Sequence, residues 1–231
     1  MTSRAANRAA LLGRVDTDLK KLEADYNASL YAKQVAADLR IDIKNVFENL
    51  RSVLDYLAQD IRAKYCPAAK AGDRFYFPVL PDRAQFESRM RQWYPGLDSN
   101  NKALWDFLES VQPYHVRYEW LGHFNKVNNE NKHSDLVEQT RVEVEQVKAT
   151  MQGGSSVSWN PGSVRFGAGV FIGGVPVDPR TQMPVPHPSL KVERNTWVDF
   201  QFAGVGVSAL GLVKDSAAGI RSIVESVQPH L

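Results

Sequence analysis

The sequence predicts an α+β fold in which a helical bundle is followed by a small antiparallel β module and a closing helix. Apolar residues recur at helical spacing through most of residues 1–136. Beyond Leu136 they alternate with polar residues, and turn-forming glycines and prolines become frequent. Helical spacing returns near the end of the chain. We therefore expect a helical bundle over 1–136, and a β module over 137–231 whose C-terminal helix packs back to give one compact unit.

The first two predicted helices carry the longest apolar patterns. The first runs from about Ser3 to Tyr26, and its helically spaced apolar residues are Leu11, Leu12, Val15, Leu19 and Leu22. The second is expected from about Leu30 to Tyr65, where Pro67 ends it. Its apolar stripe is Ile43, Val46, Phe47, Leu50, Val53, Leu54, Leu57 and Ile61. The second helix is long for a globular protein.

Shorter helices follow. The apolar, proline-punctuated segment Phe75–Pro81 is expected to pack over the bundle as extended chain. Asp82 can cap a helix that ends near Tyr94, and Ser99 or Asn100 can cap the next one. Each start is predicted by a side chain that can accept a hydrogen bond from a free N–H of the first turn.

A further helix is predicted from about Tyr114 to Asn131. At about 100° per residue, its core face carries Val116, Trp120, Phe124 and Val127. A polar stripe on the opposite face consists of Asn125, Asn129 and His133, with Lys132 beside it. An imidazole can act as general acid or base near pH 7, a carboxamide can orient a substrate, and a lysine can neutralise a phosphate. We therefore predict catalytic roles for His133, Lys132 and Asn129. A solvated helix face with ordinary C-terminal capping explains the same pattern and stays open.

A second polar set lies on the helix that ends at Tyr65. Its members on one face are Asn45, Asn49, Ser52 and Tyr56. Arg51 and Asp55 are spaced as an i, i+4 ion pair, which on a solvated face contributes a few tenths of a kcal/mol. In the functional alternative, Arg51 and Asp55 meet the Asn129/His133 end across the bundle, and an anion lies between Arg51 and Lys132. We accordingly predict ligand-binding roles for Arg51, Asp55 and Asn125.

The β module is predicted from short alternating segments. Strand candidates are residues 142–144, 157–159, 163–166, 169–172 and 190–202. The prolines between 176 and 188 indicate a long irregular loop. The closing helix is expected from about Val207 to Val227.

Composition narrows the classes of function. The net charge is +2, and neither part of the chain has a strong basic excess: residues 1–136 carry 20 basic and 18 acidic side chains, and the remainder carries 8 of each. This excludes nucleic-acid binding by overall charge but leaves a local basic patch possible.

The single cysteine, Cys66, permits no internal disulfide and is expected to be structural. Metal-binding, Walker and dinucleotide motifs are missing, so we predict no metal and no cofactor. No apolar run approaches the ~18 residues of a membrane span, and we expect a cytoplasmic protein.

Four motifs in a fixed order resemble a group of uncharacterised bacterial and phage proteins with an N-x-(N/D)-K-H motif. They are Asn49–Leu57, Phe77-Pro78-Val79, Gln112-Pro113-Tyr114 and Asn129-x-Asn131-Lys132-His133. The chain has Asn131 and Ser134 where that group commonly has an aspartate and an arginine. These departures remove one carboxylate and one cation from the site.

The helical part also resembles, more distantly, HEPN domains, which are helical bundles found in ribonuclease toxins and defence proteins. Their nuclease members carry an arginine, four to six residues and a histidine, and Arg117 and His123 satisfy that spacing. The resemblance makes these two an alternative catalytic pair, although an ideal helix points them about 120° apart. For a motif ending at His133, the counterpart of the arginine is Asn128 or Lys126. A HEPN-type nuclease site would also imply a homodimer.

Two hypotheses of function follow. In the first, the chain is a HEPN-like protein of a defence or phage context that binds or cleaves RNA, or binds a nucleotide or another phosphate ligand. In the second, it is a non-enzymatic interaction module in which the polar cluster is a structural network. There the β module and the proline-rich loop contact a protein partner. The sequence leaves open whether the chain is an enzyme.

Overall fold

The computed structural model describes residues 3–32, 37–70, 72–133 and 139–231, with side chains at 29–32, 37, 131–133, 139, 141 and 196–198 excepted. The α+β prediction is confirmed. The chain divides into two compact units: a helical unit, Met1–Thr140 with Phe200–Leu231, and a β unit, Arg141–Asp199. The predicted boundary after residue 136 lies outside the described residues, and whether both units behave as one compact body stays a prediction. No helix among the described residues is long and apolar enough to cross a membrane.

Two antiparallel helices of 29 residues each, α1 (Arg4–Ala32) and α2 (Ala37–Tyr65), pack against each other more extensively than any other pair of elements among the described residues. Arg4 Nη1 lies 3.1 Å from Asp60 Oδ1 near one end of the pair, and Lys21 Nζ lies 2.6 Å from Asp42 Oδ2 towards the other. All eight residues of the predicted α2 stripe are buried. The predicted start of α2 at Leu30 is wrong, because that residue belongs to α1.

Of the three helices that follow, α3 and α5 begin at polar caps. In α3 (Arg83–Trp93), the side chain of Asp82 accepts from the N–H of Gln85, as predicted. A single turn, α4 (Leu97–Asn100), then precedes α5 (Lys102–Ser110). The predicted cap at Ser99 or Asn100 is wrong, because Asn101 caps α5 by accepting from the N–H of Leu104 at 3.0 Å.

The helix predicted from Tyr114 begins later. Residues Val116–Tyr118 form a 3-10 helix, and α6 runs over Glu119–His133. Val116 is therefore not a core residue, and its exposed fraction is 91%. The buried apolar residues of α6 are Leu121, Phe124 and Val127.

The closing helix α7 (Ala209–Val227) begins at its cap Ser208, whose side chain accepts from the N–H of Gly211. It packs on α1, α2 and α6. Arg221 Nη2 joins it to α1 through Asp16 Oδ1 at 2.6 Å. The C-terminal helix thus belongs to the helical unit, whose core it completes with Leu212, Val213, Ile220, Ile223 and Val227.

Gly219 on α7 is required by the neighbouring Trp120. An added Cβ would lie 2.1 Å from Trp120 Cζ2, whereas a Cβ at Gly13 of α1 meets nothing within 4 Å. We expect Gly219→Ala to lower the free energy of unfolding by about 1–3 kcal/mol through overpacking. The same substitution at Gly13 should raise it by about 0.5–1 kcal/mol, because alanine favours a helix interior. Urea unfolding measures both changes, and a gain in stability at both positions would contradict the contact with Trp120.

Two three-stranded antiparallel sheets are built between residues 139 and 202. The first has the order β2–β1–β6, with β1 Gln139–Met151, β2 Ser156–Trp159 and β6 Leu190–Phe202. The second has the order β3–β4–β5, with β3 Phe171–Ile172, β4 Val175–Asp178 and β5 Met183–Pro184. The β unit has its own apolar cluster, which is Val147, Ala149, Trp159, Ile172, Val175, Val177 and Leu190.

Two predictions about the β unit are wrong. The segment 163–166 is not a strand, because the side chain of Gln182 bonds both the N–H and the C=O of Phe166 in place of a neighbouring strand. The prolines between 176 and 188 do not form one long irregular loop, because strands β4 and β5 lie there. Their prolines fit because residues beside them donate instead: Val185 N–H bonds the carbonyl of Pro176 at 2.9 Å, and Val177 N–H bonds that of Val170.

Candidate functional site

A cleft in the helical unit, named here the Arg51 cleft, brings together four of the predicted site residues. Its volume is about 450 Å³. Helix α2 provides Arg51 and Asp55, and α6 provides Asn125 and Asn129. The remaining walls are Tyr76, Phe77, Val79 and Trp93. The predicted meeting of the two polar sets across the bundle is thus present in the geometry for these four residues.

Arg51 is the most constrained polar residue of the cleft. Its exposed fraction is 7%, because the neighbouring positions of α2, Leu50 and Leu54, lie in the core. Its Nε donates to Asp55 Oδ2 at 3.3 Å, and its Nη2 lies 3.1 Å from Asp55 Oδ1. Its Nη1 donates to Asn125 Oδ1 at 3.2 Å. The guanidinium is therefore engaged by its own protein, and the described charges of the cleft cancel.

Two aromatic side chains form the exposed wall of the cleft. Tyr76 has an exposed fraction of 49%, and its ring packs edge-on against Trp93 with the centroids 6.0 Å apart. The Arg51 guanidinium carbon lies 5.7 Å from the centre of the Tyr76 ring. These aromatic walls were not among the predicted site residues. The aromatic, proline-punctuated sequence of 75–81 was the available signal, since an extended segment packed over a bundle can line a cleft.

Buried hydrogen bonds hold the segment that carries Tyr76. The side chain of Gln112 accepts from the N–H of Leu80 at 3.0 Å and donates to the carbonyl of Pro78 at 3.1 Å. The hydroxyl of Tyr94 donates to the carbonyl of Tyr76 at 2.8 Å. Burial raises the pKa of Tyr94 above its usual value, so this hydroxyl keeps its proton and remains a donor.

The predicted catalytic cluster is placed only in part. Asn129 lines the Arg51 cleft. Lys132 and His133 belong to the last turn of α6, but their side chains lie outside the described residues. Ser134 also lies outside them. The roles of His133 as acid or base and of Lys132 as a phosphate ligand stay predictions.

The alternative pair, Arg117 and His123, lines a second cleft of about 360 Å³. Arg117 belongs to the 3-10 helix that precedes α6, so the angle of 120° expected on one ideal helix does not apply. Glu119 and Asp215 line the same cleft, and His123 Nε2 lies 4.0 Å from Glu119 Oε1. Two carboxylates beside one arginine disfavour an RNA phosphate there.

Neither possible counterpart of an arginine for His133 supplies a free cation. Asn128 is fully buried, and its side chain has no hydrogen-bond partner among the described residues. Lys126 Nζ donates to the carbonyl of Gly204 at 2.7 Å. Neither residue therefore offers a free cation to a HEPN-type motif that ends at His133.

The other polar residues noted in the sequence lie elsewhere. Asn45 and Asn49 line a groove between α1 and α2, together with Arg14, Asp18, Asp42 and Glu48. Ser52 donates to the carbonyl of Glu48.

Cys66 is buried, and burial raises the pKa of its thiol to about 11, which disfavours the nucleophilic thiolate. The part of the chain that the structure describes holds no group of three or more His, Cys, Asp or Glu residues suited to a metal ion.

No protein-family model matches this chain, and no curated protein or solved structure is significantly similar to it. The candidate site therefore rests on its own geometry and chemistry.

Proposed function

We propose that this chain is a cytoplasmic protein that binds a nucleotide, either free or as a unit of single-stranded RNA, with the base in the Arg51 cleft. The observation that carries the proposal is the meeting of Arg51, Asp55 and Asn125 beside the aromatic pair Tyr76 and Trp93. A base offers a flat ring to aromatic side chains and polar edges to amides and carboxylates. A cleft whose described charges cancel suits that neutral ring better than it suits a phosphate.

The phosphate would be neutralised by Lys132, one turn of α6 beyond Asn129. Arg51 does not take this role in the proposal, because Asp55 neutralises its charge and each of its three nitrogens already contacts Asp55 or Asn125. If the bound RNA is also cleaved, His133 would serve as the acid or base. In this assignment, the α6 residues that contact the base and those that contact the reacting phosphate lie on successive turns of the helix.

Replacing the exposed aromatic wall tests the proposal. We expect Tyr76→Ala to weaken binding of nucleotides and of short single-stranded RNA by about 5- to 150-fold, since stacking contributes about 1–3 kcal/mol per base. Tyr118→Ala is the matched control. Like Tyr76, Tyr118 lies beside an arginine, with the Arg117 guanidinium carbon 5.8 Å from its ring centre, but it does not line the Arg51 cleft. Calorimetric titration measures both. Equal losses in the two variants, or no saturable binding by the unmodified protein, would sink the proposal.

Incubation with labelled single-stranded RNA separates binding from cleavage. Cleavage that disappears in His133→Ala alone assigns the reaction to the end of α6. Cleavage that disappears in Arg117→Ala alone moves it to the second cleft. An intact RNA that still binds makes the chain a binding protein.

A second function, the protein-interaction module, is supported by one feature of the β unit. Phe171 of β3 lies opposite Pro176 of β4, and Val185 bonds the other side of Pro176. All three side chains are exposed, so they form an apolar row across the small sheet. Sedimentation of the full chain beside Phe171→Ser tests whether this row joins two copies: an unchanged molecular mass argues against that role.

A further inference from the structure

Arg51 fixes the direction in which the Asn125 amide faces the cleft. A guanidinium has only donors, so the atom of Asn125 beside Arg51 Nη1 has to be the oxygen. The amide nitrogen Nδ2 is left as a donor, and no described residue accepts from it. The Asp55 carboxylate supplies the opposite polarity. Its Oδ1 is buried beside Arg51, whereas Oδ2 accepts from Arg51 Nε at 3.3 Å and the side chain is 36% exposed. A carboxylate oxygen accepts more than one hydrogen bond, so we assign Oδ2 as the acceptor offered to a ligand. The cleft thus presents one donor and one acceptor held by the same arginine.

We propose that this arrangement selects guanine over adenine, an inference that rests on the proposed function. Guanine carries an acceptor, O6, beside two donors, N1–H and the 2-amino group. Asn125 Nδ2 donates to O6, and Asp55 Oδ2 accepts from the N–H groups next to it. Adenine in the same orientation sets its 6-amino group against the amide donor and its N1 acceptor against the carboxylate. Stacking on Tyr76 would hold the plane of the base, and Trp93, whose ring lies edge-on to Tyr76, would border it.

Titration with GMP, AMP and IMP tests the selection on the unmodified chain. We expect GMP to bind about tenfold or more tightly than AMP, since two mismatched polar contacts replace two hydrogen bonds. IMP keeps O6 and N1–H but lacks the 2-amino group, so its affinity should lie between the two. Equal affinities for GMP and AMP would overturn the selection and leave the base-binding cleft standing. Binding of none of the three, together with no binding of RNA, would overturn the proposed function itself.

Changing the donor at residue 125 tests the mechanism of the selection. Asn125→Asp has nearly the same shape and can still accept from Arg51, but it replaces the amide donor with a carboxylate oxygen. We expect the ratio of GMP to AMP affinity to fall about tenfold towards unity. Asn49→Asp on α2 adds the same charge in the groove between α1 and α2 and should leave the ratio unchanged.

Asn125→Ser, which removes the amide without adding charge, is the second variant and should lower the same ratio. Thermal melting of each variant separates loss of fold from loss of selection. The role of the amide would be overturned if both Asn125 variants kept the ratio of GMP to AMP affinity. It would also be overturned if Asn49→Asp lowered that ratio as much as the Asn125 variants do.

Discussion

Phe47→Ala should lower the free energy of unfolding by about 3–5 kcal/mol, the usual cost of removing a buried phenyl ring. Phe47 is fully buried on α2. Its ring meets Phe124 of α6 edge-on with the centroids 5.3 Å apart, and its centroid lies 6.0 Å from that of Phe202. One side chain therefore joins three parts of the helical unit that are distant in sequence. Their close packing leaves little room to collapse around the cavity.

Urea unfolding followed by far-ultraviolet circular dichroism measures this change. Ile41→Ala is the matched control, because Ile41 lies on the same helix with an exposed fraction of 46%. That substitution should change the free energy of unfolding by less than about 0.5 kcal/mol, as is usual at surface positions. Similar losses at Phe47 and Ile41 would show that the α2 stripe does not form the core.

The α2 stripe also shows what could be predicted from the sequence. A helical repeat with apolar residues at every third or fourth position buries one face wherever the helix packs, so the core positions of α2 follow from periodicity alone. The ion pair between Arg51 and Asp55 follows in the same way from their i, i+4 spacing. The contact of Arg51 with Asn125 spans 74 residues of sequence and was not predicted. The sequence supported only the broader hypothesis that Arg51 and Asp55 meet the Asn129/His133 end.

The start of α6 could not be predicted, because tertiary contacts override the local pattern. The Tyr114 hydroxyl donates to Glu109 Oε1 at 2.9 Å, and His115 Nε2 lies 3.2 Å from the same oxygen. These contacts hold residues 114 and 115 against the end of α5. The helix begins only at Glu119, and Val116 turns to solvent. A helical wheel that starts at Tyr114 contains none of this information.

The aromatic walls of the Arg51 cleft were missed for a related reason. Tyr76 lies in a segment without regular secondary structure. Periodicity predicts which side chains face inward only in helices and strands, so it could not orient Tyr76. Its position depends on Gln112 and Tyr94, whose hydrogen bonds bridge 18–34 residues of sequence. The sequence could indicate that Phe75–Pro81 covers the bundle, but not which ring would face Arg51.

Gln112→Leu should therefore affect both stability and the proposed site. Gln112 is fully buried, and the substitution leaves the N–H of Leu80 and the carbonyl of Pro78 without their partner. Each orphaned buried group costs about 1–3 kcal/mol, so we expect the free energy of unfolding to fall by about 2–6 kcal/mol. Tyr76, Phe77 and Val79 lie in the released segment, so nucleotide affinity should fall as well.

The matched control for Gln112 is Gln85→Leu, since the exposed Gln85 side chain bonds only Asp82 at 2.8 Å. Water can replace that partner, so the loss should stay below about 0.5 kcal/mol. Urea unfolding compares the two variants, and titration with GMP under native conditions follows the cleft. A large loss of stability with unchanged GMP affinity would mean that the bond network of Gln112 supports the bundle without positioning Tyr76. Equal, small losses in both variants would mean that the segment 75–81 is held by its apolar contacts and not by Gln112.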